Sequence, residues 1–370
     1  MILKIGGSNM KKPNYKLRRN IAKVVIVLLI LIPILIINKT KIMNLTVYIP
    51  NMKYSHVIDS MFEVGYTKEE VESTLNYLKN KNKINDDTQN YILKLDSKGY
   101  KKSTIDYLLR NINKTQMTEF LAKKYNKDYE EYIENDLFHY SKFDRYLNYQ
   151  KKHKDLSIDE IVFRIELNLD KTYYEDAEMV KNPDDITVLT NKYLEIPDTY
   201  EPKDLVDMDS KYANNTYGQK KLRKEAYDAF VRMVDDAAAE GVKFYAESAY
   251  RSFDYQDKIY KNYVNSNGQA KADKYAAKAG FSEHELGLAI DLANIWTITT
   301  KGEEYKWLSK HAHKYGYIFR YKEEWEDITG YSAESWHIRY VGQKVATDVV
   351  KKNMSYEEYY IKYIANKKNK

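Results

Sequence analysis

Cysteine is absent from this sequence of 370 residues, which excludes disulfide bonds, lipid attachment through a thiol, and metal sites built on thiolate ligands. Acidic residues are missing from the N-terminal region, where nine basic residues and no acid lie within residues 1–50 and the first acid is Asp59. The chain has a net charge of +6, so this region accounts for its basic character. A nucleic-acid partner is therefore not indicated.

Long apolar runs are scarce, and the one that stands out is the fourteen-residue stretch Val24–Ile37. A membrane-spanning helix usually needs about 20 apolar residues, so this length suits the core of a cleaved signal peptide as well as a minimal anchor. Two features favour the anchor. Ile21 and Ala22 extend the run if the Lys23 side chain reaches the interface, and residues 38–41 offer no small-residue cleavage site.

The basic residues before this stretch predict its orientation. Positive charge stays on the cytoplasmic side of a membrane, so we expect the N-terminus inside and the rest of the chain outside. The sequence therefore predicts a basic cytoplasmic tail at residues 1–20 and a single transmembrane signal-anchor at residues 21–38. The remainder is expected to be extracellular and held at the cell membrane by that helix.

Two motifs in the C-terminal half contain histidines and carboxylates. The run Ser282–Asp291 reads SEHELGLAID, and the run Glu334–Tyr340 reads ESWHIRY. His284, Asp291 and His337 offer two imidazoles and one carboxylate, a ligand set that leaves the fourth position of a tetrahedral zinc site open for water. A closed structural site normally needs four protein ligands, so the pattern predicts one catalytic zinc ion.

A further carboxylate, Glu334, precedes His337 by three residues. It is placed to take a proton from water whose pKa a bound zinc ion lowers to about 7. Isolated histidines and glutamates are usually loop or surface residues, but chance rarely supplies both motifs in this order. The sequence therefore favours a hydrolase over a surface cluster of polar residues.

Further segments accompany the two motifs between about residues 188 and 350. They are Asn191–Tyr193, Tyr200–Val206, Leu222–Ala226, Tyr250–Ser252 with Gln256, Tyr315–Tyr321 and Val341–Gly342. Together they resemble the VanY-type zinc D-alanyl-D-alanine carboxypeptidases, which trim the stem peptides of bacterial peptidoglycan. The chain departs from that pattern at residues 279–281, which read AGF where PGT is expected, and at Ser335, where proline is common. Neither departure touches a ligand or the base.

The resemblance implies a substrate, a peptidoglycan stem peptide ending in D-Ala, and roles for seven residues. A free terminal carboxylate suits the bidentate fork of Arg251, although an ordinary surface arginine is the alternative among 60 basic residues. Ser282 is equally well explained as a cap or turn residue. By resemblance, one zinc ion is bound by His284, Asp291 and His337, the general base is Glu334, and the substrate is held by Arg251, Gln256 and Ser282.

The hydrophobic pattern of this region predicts an α+β domain, a small mixed or antiparallel sheet flanked by helices. Asp291 is expected to share one strand face with Ala289. Glu334 and His337 would point in opposite directions on a regular strand, so we expect Glu334 in a turn before the strand. Strands are predicted at residues 242–246, 288–292 and 336–341, and helices at residues 221–240, 254–263, 270–279 and 303–315.

Residues 52–170 read as a helical region with a weak repeat. The segments that start at Gly65 and Gly99 each open an amphipathic stretch, the first with capping-box spacing from Thr67 to Glu70. The region is either a module that binds glycan or a partner, or a spacer, and the spacer is favoured. The boundaries are therefore placed at 52–170 for this region, 171–350 for the carboxypeptidase domain and 351–370 for a basic C-terminal tail.

The sequence favours a membrane-anchored zinc D-alanyl-D-alanine carboxypeptidase that hydrolyses the C-terminal D-Ala from stem peptides. Two alternatives stay open: an L,D-carboxypeptidase that acts on tetrapeptide stems, and a catalytically silent protein that binds the cell wall. The intact ligand set and base disfavour the silent protein, because a binding module has no need to keep a metal and a base together.

Overall fold

The computed structural model of the protein describes residues 44–213, 219–292 and 300–365. The predicted cytoplasmic tail at residues 1–20 and the predicted signal-anchor at residues 21–38 lie outside these ranges. Within the described ranges, no helix has both the length and the apolar character that a membrane span requires.

A first compact unit ends at Glu134 and is built from short helices. Thr67 and Glu70 form the predicted capping box, in which each side chain accepts a hydrogen bond from the other residue's backbone N–H. Gly65 and Gly99 both lie in turns between consecutive helices, so the two repeat copies are helix–turn–helix units. The helices are α1 Leu45–Tyr48, α2 Ser55–Glu63, α3 Lys68–Asn80, α4 Thr88–Ser97, α5 Lys102–Asn111, α6 Lys114–Ala122 and α7 Lys127–Glu134, with a 3-10 helix at Ile49–Tyr54.

A second compact unit begins at Asn135, so it includes two helices that the sequence boundary at residue 170 groups with the preceding region. Ser157 caps the second of them by accepting a hydrogen bond from the backbone N–H of Glu160. Two pairs of short strands follow, the first parallel and the second antiparallel. These elements are α8 Phe143–Lys152, α9 Ile158–Glu166, β1 Glu178–Met179 with β2 Leu194–Glu195, and β3 Leu205–Asp207 with β4 Lys221–Arg223.

A four-stranded antiparallel sheet lies at the centre of the second unit, with the strand order β5-β6-β8-β7. It confirms the predicted combination of a small antiparallel sheet and surrounding helices. The edge strand β7 was not predicted, and β5 begins where the predicted strand at 242–246 ends. The strands are β5 Ala246–Ser248, β6 Ala289–Leu292, β7 Tyr317–Tyr321 and β8 Glu334–Tyr340.

Helix α10 illustrates how the helices cover the sheet. Ala226, Phe230 and Met233 recur on one helical face and are fully buried. Phe230 packs against the rings of Phe244 and Tyr317, and its burial contributes on the order of 2 kcal/mol. The helices of this part are α10 Lys224–Ala239, α11 Phe253–Asn267, α12 Gln269–Tyr275, α13 Glu303–His311, α14 Glu326–Thr329, α15 Gln343–Lys352 and α16 Tyr356–Tyr359.

The helix predicted at residues 221–240 starts later than expected, at Lys224. Residues 221–223 form β4 instead, in which Leu222 is fully buried between two half-buried neighbours. An extended segment allows this alternation because successive side chains point to opposite faces. The three residues were too few to reveal a strand from their pattern.

Candidate active site

Strands β6 and β8 bring the two histidine-containing motifs together. In their antiparallel register, Asp291 lies opposite His337 and Ala289 lies opposite Arg339. Directly opposed side chains lie on the same face of a sheet. The Asp291 carboxylate therefore meets the His337 imidazole, with Oδ1 3.1 Å from Nδ1.

His284 reaches the same point from a tight turn. It belongs to the 3-10 turn Glu283–Leu286, which ends at Gly287 in a left-handed conformation with φ of +62°. Glycine adopts this conformation without steric cost, and a Cβ atom here would lie only 2.8 Å from Leu205 Cδ2. The turn leads directly into β6 and leaves His284 Nε2 3.3 Å from Asp291 Oδ2.

The three predicted ligands form one group. One ligand atom from each of His284, Asp291 and His337 lies within 4.8 Å of the others. The residues are buried, with exposed fractions of 3%, 8% and 4%. Two imidazole nitrogens and one carboxylate oxygen are the donor set of a catalytic zinc site, so the residues present fit a zinc ion.

Hydrogen bonds leave a different ring nitrogen available on each histidine. His284 Nδ1 lies 2.7 Å from the carbonyl oxygen of Ala249, which can only accept, so Nδ1–H donates and Nε2 is the ligand atom. His337 Nε2 lies 3.1 Å from Glu283 Oε2, whereas Nδ1 lies 3.1 Å from Asp291, itself a predicted ligand, so Nε2–H donates to Glu283 and Nδ1 is the ligand atom. An acceptor on the second nitrogen is typical of metal-ligating histidines.

Glu283 contacts the predicted ligand His337, and no role for it was predicted from the sequence. Its carboxylate accepts hydrogen bonds from Arg320 Nε at 2.7 Å and from Arg339 Nη1 at 3.1 Å. Burial opposes its charge, but these two guanidinium groups hold the pKa of Glu283 well below its usual range. Arg320 and Arg339 were the available signal, because each alternates with apolar or aromatic residues and a buried arginine requires a carboxylate partner.

The charges around the three predicted ligands keep Asp291 ionised. Burial alone would raise the pKa of Asp291, but His284 and Arg251 hold it well below its usual range. Burial lowers the pKa of His284, and Arg251 adds to that effect. Burial would also lower the pKa of His337, but its hydrogen bonds to Asp291 and Glu283 raise it to about 9. A proton on His337 therefore competes with a metal ion for Nδ1.

Glu334 lies beside the metal group, with Oε2 3.7 Å from His337 Nδ1. The expectation of a turn at this position was wrong, because β8 begins at Glu334 itself, opposite Tyr321. Between this pair and the pair of Phe319 with Ile338, β8 has two residues more than β7, and such an irregularity redirects side chains. Burial raises the pKa of Glu334 to about 7, which suits a group that exchanges protons near neutral pH.

Arg251 lies just before α11, and its guanidinium group is held from three sides. Nε donates to Ser248 Oγ at 3.0 Å, Nη1 donates to Gln256 Oε1 at 3.4 Å, and Nη2 donates to Asp291 Oδ2. Gln256 is 1% exposed, and its Nε2 donates to the carbonyl of Ala277 at 2.7 Å. Gln256 thus supports Arg251, while the contact of either residue with substrate stays a prediction.

Ser282 caps the turn that carries His284. Its Oγ accepts from the backbone N–H of His284 at 3.4 Å, and the carboxylate of Glu285 accepts from the backbone N–H groups of Ser282 and Gly280. Burial raises the pKa of Glu285 to about 7. The geometry therefore shows the capping role that the sequence left as an alternative, and substrate binding by Ser282 stays a prediction.

The region that holds this site matches a known family. Residues 219–343 match the model of the VanY family, described as D-alanyl-D-alanine carboxypeptidase. The chain is also 39% identical over 210 residues to the "Putative carboxypeptidase YodJ" of Bacillus subtilis (strain 168), a match that covers 53% of this chain and 77% of that relative. The chain belongs to the VanY family.

Two solved structures are similar to about half of the chain. The LdcB LD-carboxypeptidase is 38% identical with a TM-score of 0.48, and the match covers 51% of this chain and 92% of that one. A vancomycin-resistance D,D-pentapeptidase VanY in complex with Zn(II) is 30% identical with a TM-score of 0.41, and the match covers 47% of this chain and 97% of that one.

Membership of the VanY family confirms three predictions from the sequence. They are the family resemblance, a metal-dependent carboxypeptidase as the class of enzyme, and zinc as the cofactor for which His284, Asp291 and His337 form a group. The individual roles of Glu334 and Arg251 stay predictions at this point.

Proposed function

We propose that this protein is a membrane-anchored zinc carboxypeptidase that releases the C-terminal D-Ala of peptidoglycan stem peptides. The observation that carries the proposal is the buried group of His284, Asp291 and His337 with Glu334 beside it. Membership of a family described as D-alanyl-D-alanine carboxypeptidase supports the choice of substrate.

The ligand residues are suited to hold a dication with an open position. Zinc supplies a Lewis acid that polarises a carbonyl group and lowers the pKa of water to about 7. His284 and His337 serve as neutral ligands, because Ala249 and Glu283 each accept the proton of the other ring nitrogen. Asp291 contributes one negative charge, so the three ligands leave a net positive charge that attracts a carbonyl oxygen.

Glu334 moves the proton in this proposal. As a carboxylate it accepts a proton from the attacking water, and as a carboxylic acid it returns that proton to the leaving amine of D-Ala. Burial raises its pKa to about 7, so both protonation states are accessible near neutral pH. Glu334 lies beside His337 and is not one of the three predicted ligands, so its carboxylate is available to exchange a proton with water.

Arg251 holds the terminal carboxylate of the substrate. A guanidinium group has five N–H donors, and the contacts with Ser248, Gln256 and Asp291 engage three of them. The two others suit a single carboxylate in a bidentate arrangement. Ser248 and Gln256 fix the plane of the group, which reduces the entropy lost when the substrate binds.

Hydrolysis is tested by incubating the full chain with a pentapeptide stem and a tetrapeptide stem and following both by mass spectrometry. We expect the pentapeptide to lose one D-Ala, the tetrapeptide to persist, chelation to stop the reaction and zinc to restore it. If the tetrapeptide is shortened instead, the enzyme is an L,D-carboxypeptidase and not a D,D-carboxypeptidase. Activity in metal-free protein would remove zinc from the mechanism, and no cleavage of either peptide would overturn the proposal.

The location outside the membrane is proposed from the basic residues before the predicted signal-anchor at residues 21–38. A reporter enzyme fused after Lys370 is expected to be active if it is a type that works outside the cytoplasm, and inactive if it is a type that works inside. Recovery of soluble protein in the medium, with a new N-terminus near Thr40, would show a cleaved signal peptide instead of an anchor.

A further inference from the structure

A buried ionic network lies directly behind His337. Glu283 accepts the hydrogen bond from His337 Nε2 with one carboxylate oxygen. Its other oxygen accepts from Arg320 and from Arg339. Arg320 also donates to both oxygens of Glu357, with Nη1 3.1 Å from Oε2 and Nη2 2.8 Å from Oε1. These four charged side chains are at most 1% exposed.

We infer that Glu283 is a positioning residue for the predicted metal ligand His337, and that Glu357 on helix α16 supports the same ligand through Arg320. The inference rests on the proposed zinc function and names the residues that set the zinc affinity. Glu357 lies beyond residues 219–343, the range that matches the family. The C-terminal segment therefore supports the site from outside the matched region.

The balance of charge explains how Glu357 acts at a distance. The two carboxylates of the network offset the two guanidinium groups, and Arg320 divides its donors between Glu283 and Glu357. When glutamine replaces Glu357, Arg320 interacts more strongly with Glu283. Glu283 is then a weaker acceptor for the N–H of His337. A weaker acceptor makes the imidazole a weaker ligand, and the unbalanced positive charge repels a dication.

Helix α16 is held in place by contacts other than Arg320. Ser355 begins it with a capping box that includes Glu358. Tyr356 is 1% exposed and donates from its hydroxyl to the carbonyl of Thr187 at 2.7 Å. The loss of charge at Glu357 is therefore expected to leave α16 docked and to act through Arg320.

The test measures the zinc dissociation constant of full-chain variants by competition with a chromophoric chelator. We expect Kd to rise about 10- to 100-fold in E283Q, the usual effect of losing the partner of a ligating histidine, and about three- to tenfold in E357Q. E358Q is the matched control and should stay within about twofold, because glutamine preserves the capping box. The double variant E283Q/E357Q should match E283Q, since both changes act along one path.

Cobalt substitution separates ligand positioning from general stability. The visible absorption bands of the cobalt(II) protein should shift in E283Q and E357Q and stay unchanged in E358Q. A zinc Kd within about twofold of the wild type in both variants, or unchanged cobalt spectra with only a lower melting temperature, would overturn the inference. If E283Q does not fold, E357Q decides alone. Failure of the wild type to bind zinc would overturn the proposed function instead, so the two failures are distinguishable.

Discussion

The His337 imidazole and the Asp291 carboxylate face each other across neighbouring strands, with Nδ1 3.1 Å from Oδ1, although 46 residues separate them in the sequence. The backbone pairing of β6 with β8 sets this opposition. Glu334 belongs to the irregular first part of β8, so the backbone places the proposed base in a different way from the predicted ligands Asp291 and His337. Changes to the base and changes to the ligands should therefore have separable effects.

Replacing Glu334 with glutamine should lower kcat about a hundredfold or more, because the amide cannot accept a proton from water. The zinc Kd should stay within a few-fold of the wild type, since Glu334 contributes no predicted ligand atom. Steady-state kinetics on a pentapeptide and chelator competition measure the two quantities. Glu324→Gln, at a surface glutamate whose side chain is 59% exposed, is the control and should match the wild type. Loss of zinc from Glu334→Gln would make this residue a ligand instead of the base.

Zinc uptake should release at least one proton per protein at pH 7. The hydrogen bonds of His337 raise its pKa to about 9 in the metal-free protein, so this imidazole is protonated at neutral pH and must lose a proton from Nδ1 to bind metal. The apparent zinc affinity should therefore rise by about tenfold per pH unit up to about pH 9. Titration calorimetry in buffers with different ionisation enthalpies counts the protons.

A histidine outside the site provides the control for this measurement. His313 contacts Thr347 and is not part of the metal group. His313→Gln should release as many protons as the wild type. A release of no protons at pH 7 would show that His337 is already neutral in the metal-free protein.

Replacing Arg251 with lysine should lower kcat/KM on a free-acid peptide by about 10- to 100-fold, mainly through KM, because an ammonium group cannot reproduce a bidentate fork. An amidated peptide lacks the terminal carboxylate, so the wild type and the variant should cleave it equally poorly. The two peptides and two proteins form a double-mutant cycle whose coupling measures the contact. No coupling, with amidated peptide cleaved as well as free acid, would indicate an endopeptidase.

Replacing Gly287 with alanine should lower the free energy of unfolding by about 2–4 kcal/mol. The new Cβ atom would clash with Leu205, and alanine also carries the cost of a positive φ. Gly241→Ala is the matched control: its φ is +87° and no atom lies within 4 Å of the added carbon, so about 1 kcal/mol is expected. Denaturant titration measures both. Equal losses in the two variants would show that the turn relaxes around Leu205.

The grouping of His284, Asp291 and His337 was predictable from the sequence, because two imidazoles and one carboxylate are the ligand set of an open zinc site. The position of Glu334 was not, because the irregularity in β8 depends on which residues of β7 pair with it. Alternation along a single strand contains no information about its partner. The sequence therefore predicted Glu334 as the base but placed it in a turn, whereas it lies at the start of β8.

The role of Glu283 could not be recognised from its neighbours. Arg320 and Arg339, which keep it ionised, lie 37 and 56 residues further along the chain. Only the pairing of β7 with β8 brings both arginines to one carboxylate. The predicted helix at residues 221–240 shows the same limit, since Leu222 lies in the three-residue strand β4 before α10 begins.

The pairing of β6 with β8 also makes metal uptake a check on folding. A shift of one residue would turn Asp291 away from His337, because successive side chains on a strand alternate between faces. Zinc binds and stabilises only chains in the correct register, by mass action. A mispaired copy would lack the metal site, so the register that builds the sheet would also withhold the proposed hydrolytic activity from misfolded chains.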